Sequence, residues 1–213
     1  MLAFGARRSV RNDGWRGGRD TNMRLDDKAL QQLFTEARTL RAWQPREVPD
    51  SLLREVVDLM KMAPTANNSL PARVVFVRSQ GAKERLKPHL SPGNVDKTMA
   101  APATAILAYD LQFWAHPPKG QEPLAGFEGK PERGQTVGFR NGSLQGAYLI
   151  MAARALGLDC GPMSGFDNAG VDKEFFAGTE IRSNFLCNLG YGDPTGLRPR
   201  APRFAFDEMA SIL

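Results

Sequence analysis

The sequence predicts an α+β fold, a central antiparallel or mixed sheet wrapped by helices. Three observations lead there. Segments with helical periodicity alternate with short β-type runs, yet no clean βαβ spacing joins them. The β-type runs are short and apolar, VVFV at 74–77 and TAILA at 104–108. One long segment, FRNGSLQGAYLIMAARAL at 139–156, is apolar nearly all round from Leu144 onward. A helix without a wet face is buried in a core or in a subunit interface.

Taken in order, Asp26 and Asp27 precede a helix over Lys28 to Leu40, with Leu30, Leu33, Phe34 and Ala37 on one face. A second helix runs from Pro49-Asp50-Ser51 to Met62, with Leu52, Val56, Leu59 and Met60 facing inward. APTANNSLP at 63–71 then turns the chain. Pro64 and Pro71 fix φ there, and Asn67 and Asn68 tolerate turn geometry. That accounts for the backbone and leaves open whether the loop also lies against a ligand. A strand follows over Ala72 to Val77, then a short helix over Lys83 to Leu90. Ser91-Pro92-Gly93 breaks the chain before a helical turn or two over Asn94 to Ala100, for which Asn94 is a candidate N-cap. Thr104 to Ala108 is a buried strand. Residues 111–138 hold four prolines and five glycines and are too long for a plain connector, so they predict a lid or binding loop. Gly157 ends the long helix, CGPMSGF at 160–166 is an extended segment and turn, Asp172 to Phe176 a helical turn and Asn184 to Leu189 a strand. The segment GYGDPTGLRPRAPRF is turn-rich and basic.

With 213 residues, 42% hydrophobic and 24% charged, the chain can bury one sizeable core. Residues 1–22 are rich in Arg and Gly, lack periodicity and are expected to be a disordered extension of a single domain over 23–213, with Met23 as a candidate natural start. Arg7-Arg8 has no apolar run after it, which argues against an export signal. No stretch approaches the roughly 18 consecutive apolar residues of a membrane span. Cys160 and Cys187 form no CxxC pair, which suits a reducing, cytoplasmic setting. His89 and His116 sit in no ligand-spaced cluster, so no metal site is expected. The net charge of +5 invites a nucleic-acid reading. Residues 1–24, however, hold six arginines and two aspartates, leaving 22 basic and 21 acidic residues in the rest. The body is nearly neutral and carries no basic stripe interleaved with aromatics, so a nucleic-acid-binding protein is the weaker, non-enzyme alternative.

Five stretches carry the functional reading: ARTLRAW (37–43), APTANNSLP (63–71), NVDKTMAAP (94–102), ALGLDCGPMSGF (155–166) and RAPRF (200–204). In this order and spacing they resemble the FMN-dependent nitroreductase family. Across FRNGSLQGAYLIMAARALGLDCGPMSGFD and NLGYGD they resemble most its malonic semialdehyde reductase branch, from oxidative uracil breakdown. The resemblance covers residues 25–212. It implies an α+β fold, an intertwined homodimer with one FMN in each of two interface sites, and NAD(P)H as the hydride donor.

FMN carries a phosphate, a ribityl chain and an isoalloxazine ring, and each calls for particular residues. Guanidinium forks suit the phosphate. The resemblance assigns Arg38, Thr39 and Arg41 to it, with Arg203 from the C-terminal segment. Ala37 and Ala205 stand where family members carry further arginines, and Arg198 or Arg200 could compensate. Solvated helix-end arginines are the alternative for Arg38 and Arg41. RRSVR at 7–11 spells the phosphate motif more faithfully, but no helix precedes it and no aromatic follows, whereas ARTLRAW supplies Trp43. A cation beside the pyrimidine edge stabilises the reduced flavin. Asn94 and Lys97, three residues apart on one helical face, match the family pair at that edge. Thr65 and Asn68 match a loop that lies against the flavin across the dimer interface, although Leu70 replaces a common Gln. Pro162, Met163, Ser164 and Gly165 match the segment along the ring near N5, with a tight turn as the plain alternative.

The expected activity is therefore ping-pong reduction of a small carbonyl substrate through flavin N5, malonic semialdehyde to 3-hydroxypropanoate, with no side chain assigned a catalytic role. A broad nitroreductase or quinone reductase is the alternative. Arg140, beside Phe139 and Asn141, is the candidate for binding a substrate carboxylate; a structural pair with Glu128 or Glu132 is its alternative.

Overall fold

The computed structural model describes residues 24–213, so the expectations for residues 1–22 and for Met23 lie outside the described residues. Four strands, β1 (Ala72–Val77), β2 (Ala103–Asp110), β3 (Asp159–Met163) and β4 (Ile181–Gly190), form one sheet in the order β1-β2-β4-β3. Every pairing is antiparallel, which resolves the choice between antiparallel and mixed. β2 is buried along its whole length. Ala105 and Leu107 join one core with Val56 and Met60, while Ile106 and Ala108 join a second with Leu86 and Val171 on the other face. Apolar residues at consecutive positions are what a strand covered on both faces needs.

The helices cover both faces. They are α1 (Asp27–Leu30), α2 (Asp50–Met60), α3 (Gln80–Leu86), α4 (Pro92–Ala100), α5 (Pro131–Ala155), α6 (Asn168–Phe175) and a short α7 (Phe206–Met209). Among the described residues no helix is long and apolar enough to cross a membrane. A register shift between Leu107 and Ala108 leaves Asn184 unpaired in the ladder, and its Nδ2 reaches Ser143 Oγ on α5 at 2.9 Å. The irregularity thus ties the sheet to the long helix.

Several expectations need correction. The first helix stops far short of Leu40: α1 passes into a π-helical turn over Gln31–Thr35, closed by Glu36 N–H donating to Gln31 at 2.9 Å. The wider turn breaks the i+3/i+4 register, so Phe34 is 55% exposed instead of facing the core. In α2 the buried face is Leu53, Val56 and Met60, while Leu59 is exposed. α3 begins earlier than expected because Ser79 caps it, accepting from Ala82 N–H at 3.2 Å. α4 begins at Pro92 after Ser91, so Asn94 lies inside the helix and is not its N-cap. α6 starts at Asn168, four residues before the expected turn. The largest difference is α5. It starts at Pro131, which removes eight residues from the expected 111–138 loop and puts Arg140 well inside the helix. Pro at the first turn and Glu132 beside it are proper helix-start signals. Gly134 and Gly138, which read as loop residues, are buried in α5.

Candidate functional site

The site is organised around β3. After the π-helical turn, residues 39–43 run extended beside this edge strand. Leu40 N–H donates to Cys160 O at 3.1 Å, and Thr39 is bridged to Cys160 in parallel. The two backbones approach so closely that a Cβ at Gly161 would fall 2.8 Å from Leu40 O. Only glycine fits there.

α4 is fixed at points along its length to β3, to the segment after it and to β4. Asn94 Nδ2 donates to Gly165 O at 2.6 Å, and Ser91 N–H donates to the same oxygen at 3.1 Å. Lys97 O accepts from Trp43 Nε1 at 3.0 Å and Asn188 Nδ2 at 3.2 Å. Thr98 Oγ1 donates to Met163 Sδ at 3.5 Å. At the far end Lys83 Nζ donates to Met99 O at 3.0 Å and also to Ala101 O. Burial lowers the pKa of this ammonium. Asn94, Lys97, Met163 and Gly165 are therefore brought into one neighbourhood, with Pro162 and Ser164 beside them in the chain.

Next to it lies a cleft of about 490 Å³. Among the described residues six arginines, Arg38, Arg41, Arg154, Arg198, Arg200 and Arg203, line it together with Thr39, and no carboxylate does. Several are pre-positioned by backbone carbonyls. Arg38 donates to Arg198 O, Arg200 Nη2 to Thr35 O at 2.7 Å, and Arg203 Nη1 to Ala201 O at 2.9 Å. The pKa of Lys97 is lowered by its own burial first, then by Arg41 and Arg198. Cations crowded this way repel one another, and an anion in the cleft relieves the repulsion. The donor set thus fits a phosphate. Both Arg198 and Arg200, between which the sequence could not choose, line the cleft.

Thr65 and Asn68 lie elsewhere. Their loop precedes β1, at the opposite edge of the sheet from β3. Three strand spacings of about 4.8 Å put the two edges about 14 Å apart. The loop is tightly made: Leu70 N–H donates to Thr65 Oγ1 at 3.1 Å, and Ala66 N–H to Asn141 Oδ1 of α5 at 2.8 Å. Asn68 Nδ2 donates to Gln121 Oε1 at 2.7 Å. Asn67, Asn68 and Leu70 have φ of 52°, 53° and 40°. Asn accepts this conformation and Leu does so only under strain, which loops held for a purpose can sustain. Arg140 is near this group along the chain, one residue before Asn141. It lines a cavity of about 910 Å³ with Tyr109, Phe139, Ser143 and Leu144. Neither Glu128 nor Glu132 forms an ion pair with it among the described residues.

Set beside known proteins, residues 35–191 match the model of the nitroreductase family. The chain belongs to the nitroreductase family. A Burkholderia lata protein named "Putative NADH dehydrogenase/NAD(P)H nitroreductase" is 59% identical over 191 residues, which is 88% of this chain and 98% of that one. A similarly named Stenotrophomonas maltophilia K279a protein is 60% identical over 191 residues, covering 88% and 97%. Among solved structures, a nitroreductase family protein from Streptococcus pneumoniae TIGR4 superposes with a TM-score of 0.75 at 19% identity, covering 86% of this chain and all of that one. An Exiguobacterium sibiricum 255-15 structure in complex with FMN superposes with a TM-score of 0.72 at 16% identity, covering 86% and 96%. These structural likenesses bear on the fold of this nitroreductase-family oxidoreductase.

Sequence reasoning missed parts of the neighbourhood. Asn188 and Lys83 fix α4 from β4 and α3, and nothing local marks them. Gln121, the partner of Asn68, sits in the Gly/Pro-rich loop whose length was the available signal.

Proposed function

We propose that this chain is an NAD(P)H-dependent FMN oxidoreductase. The arginine cleft carries the reading: among the described residues, six guanidinium groups and no carboxylate beside a helix that presents Asn94 and Lys97. Bound FMN would supply reversible two-electron chemistry at its N5. Arg38, Arg41 and Arg203, with Thr39, hold the phosphate, and Arg198 and Arg200 complete the charge. Lys97 and Asn94 meet the pyrimidine edge, where a lysine favours the anionic reduced ring. Pro162 to Gly165 form the wall beside the reacting face. Thr65 and Asn68 lie by the opposite edge of the sheet from β3, and in this reading they meet the flavin from a second copy. A homodimer is therefore part of this reading.

The acceptor is a small carbonyl acid, malonic semialdehyde, reduced to 3-hydroxypropanoate. The sequence resemblance to the malonic semialdehyde reductase branch and an Arg140 without an ion pair among the described residues support it. The cavity beside Arg140 is otherwise largely apolar, with Tyr109, Phe139 and Leu144. That observation favours a second reading, a nitroarene or quinone acceptor. The test is steady-state NAD(P)H oxidation by FMN-loaded enzyme with malonic semialdehyde, a nitroarene and a quinone compared. A kcat/KM for the aldehyde far above the other two supports the first reading, the reverse order supports the second, and a protein that retains no FMN refutes both.

A further inference from the structure

A smaller pocket of about 280 Å³ lies outside the arginine cleft. Its walls are residues 44–47, Arg78 just after β1, Lys83 on α3 and the turn Ala100–Pro102 after α4. Three cations, Arg46, Arg78 and Lys83, line it against one carboxylate, Glu47. Among the described residues Glu47 pairs with none of them.

Each cation is held by something other than an acid within the pocket. Arg46 lies flat over the Tyr191 ring, its guanidinium carbon 3.6 Å from the ring centre. Stacking fixes the plane and leaves the edge N–H groups free to donate. Arg78 is paired through Nη1 with Asp50, but its Nε is buried and has no acceptor. A buried unpaired guanidinium N–H is costly and calls for a partner. Lys83 is 6% exposed and gives two N–H donors to Met99 O and Ala101 O. An ammonium has three, so one remains. The helix-end carbonyls are thus already occupied by Lys83, and what the pocket offers is donors.

We propose that this pocket is a second anion site, which takes a phosphoryl oxyanion on Arg46, Arg78 and Lys83. Its volume accommodates a phosphate group with room for a small ester substituent. The planar Arg46 fork, the Arg78 guanidinium and the Lys83 ammonium are groups of the kind that oxyanions accept from. This proposal does not depend on the FMN reading.

The test is thermal unfolding of the enzyme with excess FMN, titrated with inorganic phosphate at constant ionic strength made up with chloride. The FMN fills the arginine cleft, so that phosphate reports the other site. The wild type should gain about 2–4 °C, saturably, once phosphate exceeds its dissociation constant about five-fold. Arg46→Gln should abolish the gain. Arg46 is exposed and, among the described residues, in no ion pair, so this variant folds even if Arg78→Gln, which also breaks the Asp50 pair, does not. A second arm with glycerol phosphate separates sources: an equal gain marks a site for phosphomonoesters, and a gain with inorganic phosphate alone marks one for the free ion. A response no larger than that to chloride overturns the proposal. So does one kept in Arg46→Gln, which would assign the phosphate effect to another site.

Discussion

Asn94 and Gly165 constrain each other twice. The Asn94 amide donates to the Gly165 carbonyl at 2.6 Å, and a Cβ added to Gly165 would stand 2.7 Å from that same nitrogen. The pair joins the first turns of α4 to the segment that leaves β3, the two elements assigned to the flavin edge and the N5 face. Gly165→Ala must push Asn94 aside. FMN affinity is expected to fall about ten-fold, equivalent to about 1.4 kcal/mol, with the far-UV dichroism unchanged. Flavin fluorescence quenching measures it. Wild-type affinity in that variant would remove the Asn94–Gly165 contact from the binding site.

Arg38 offers a more direct test of the arginine cleft. Its guanidinium is positioned by the Arg198 carbonyl, so the side chain is ready for an anion before one arrives. A charge-assisted hydrogen bond is worth about 1.5–3 kcal/mol. Arg38→Ala should therefore weaken FMN binding roughly 10- to 150-fold, read as loss of yellow colour through gel filtration. Arg203 donates to its own neighbours, Ala201 and Pro202. Arg203→Ala should act in the same direction. Unchanged FMN affinity in both variants would refute the phosphate assignment.

How much of this was legible in the sequence depended on range. The α+β class followed from local patterns, because VVFV and TAILA are strands in any context that buries them. Lys97 and Asn94 were legible because three residues on a helix share a face. The start of α5 was not, since Gly134 and Gly138 carry loop character locally and only burial in the fold keeps them helical. The π-helical turn at Gln31–Thr35 was equally hidden, because one extra residue per turn leaves no mark in composition. Trp43 was visible as an aromatic of the motif, but not as the residue that donates to Lys97 O. Pairings over such separations are decided by the whole fold.

Lys97 allows a prediction about pH. Burial, then Arg41 and Arg198, lower its pKa from 10.5 in the folded protein. In the window between that lowered value and 10.5 the unfolded chain binds the proton more than the folded one does. Stability from this group therefore increases as pH rises through the window, and its penalty is fully present below it. Cofactor-free Lys97→Met should be more stable than wild type at neutral pH, with the gap closing as pH approaches 10.5. Tm of both proteins across that range measures it, and the difference removes the contributions of Lys83 and other groups. The same variant should bind FMN more weakly and give it a lower midpoint potential. A variant less stable than wild type throughout would mean that Lys97 is not under charge stress.

Arg140 decides between the two acceptor readings. Among the described residues it has no ion pair, and it lines an otherwise largely apolar cavity with Tyr109 and Phe139. An acid aldehyde needs a cation beyond the ring, and in the proposed reading Lys97 serves the pyrimidine edge. An arginine fork suits a carboxylate better than a point charge does. Arg140→Leu keeps most of the side-chain bulk and removes the charge. For malonic semialdehyde, KM should rise about 10- to 100-fold, the scale of one lost charge-assisted contact. For an uncharged nitroarene it should change little or fall, since the cavity loses a charged side chain and becomes more apolar. FMN retention should be untouched, because Arg140 does not line the arginine cleft. Equal losses on both substrates would make Arg140 a structural residue and remove the ground for a carboxylate-specific enzyme. The apolar cavity wall would then argue for the nitroarene or quinone reading.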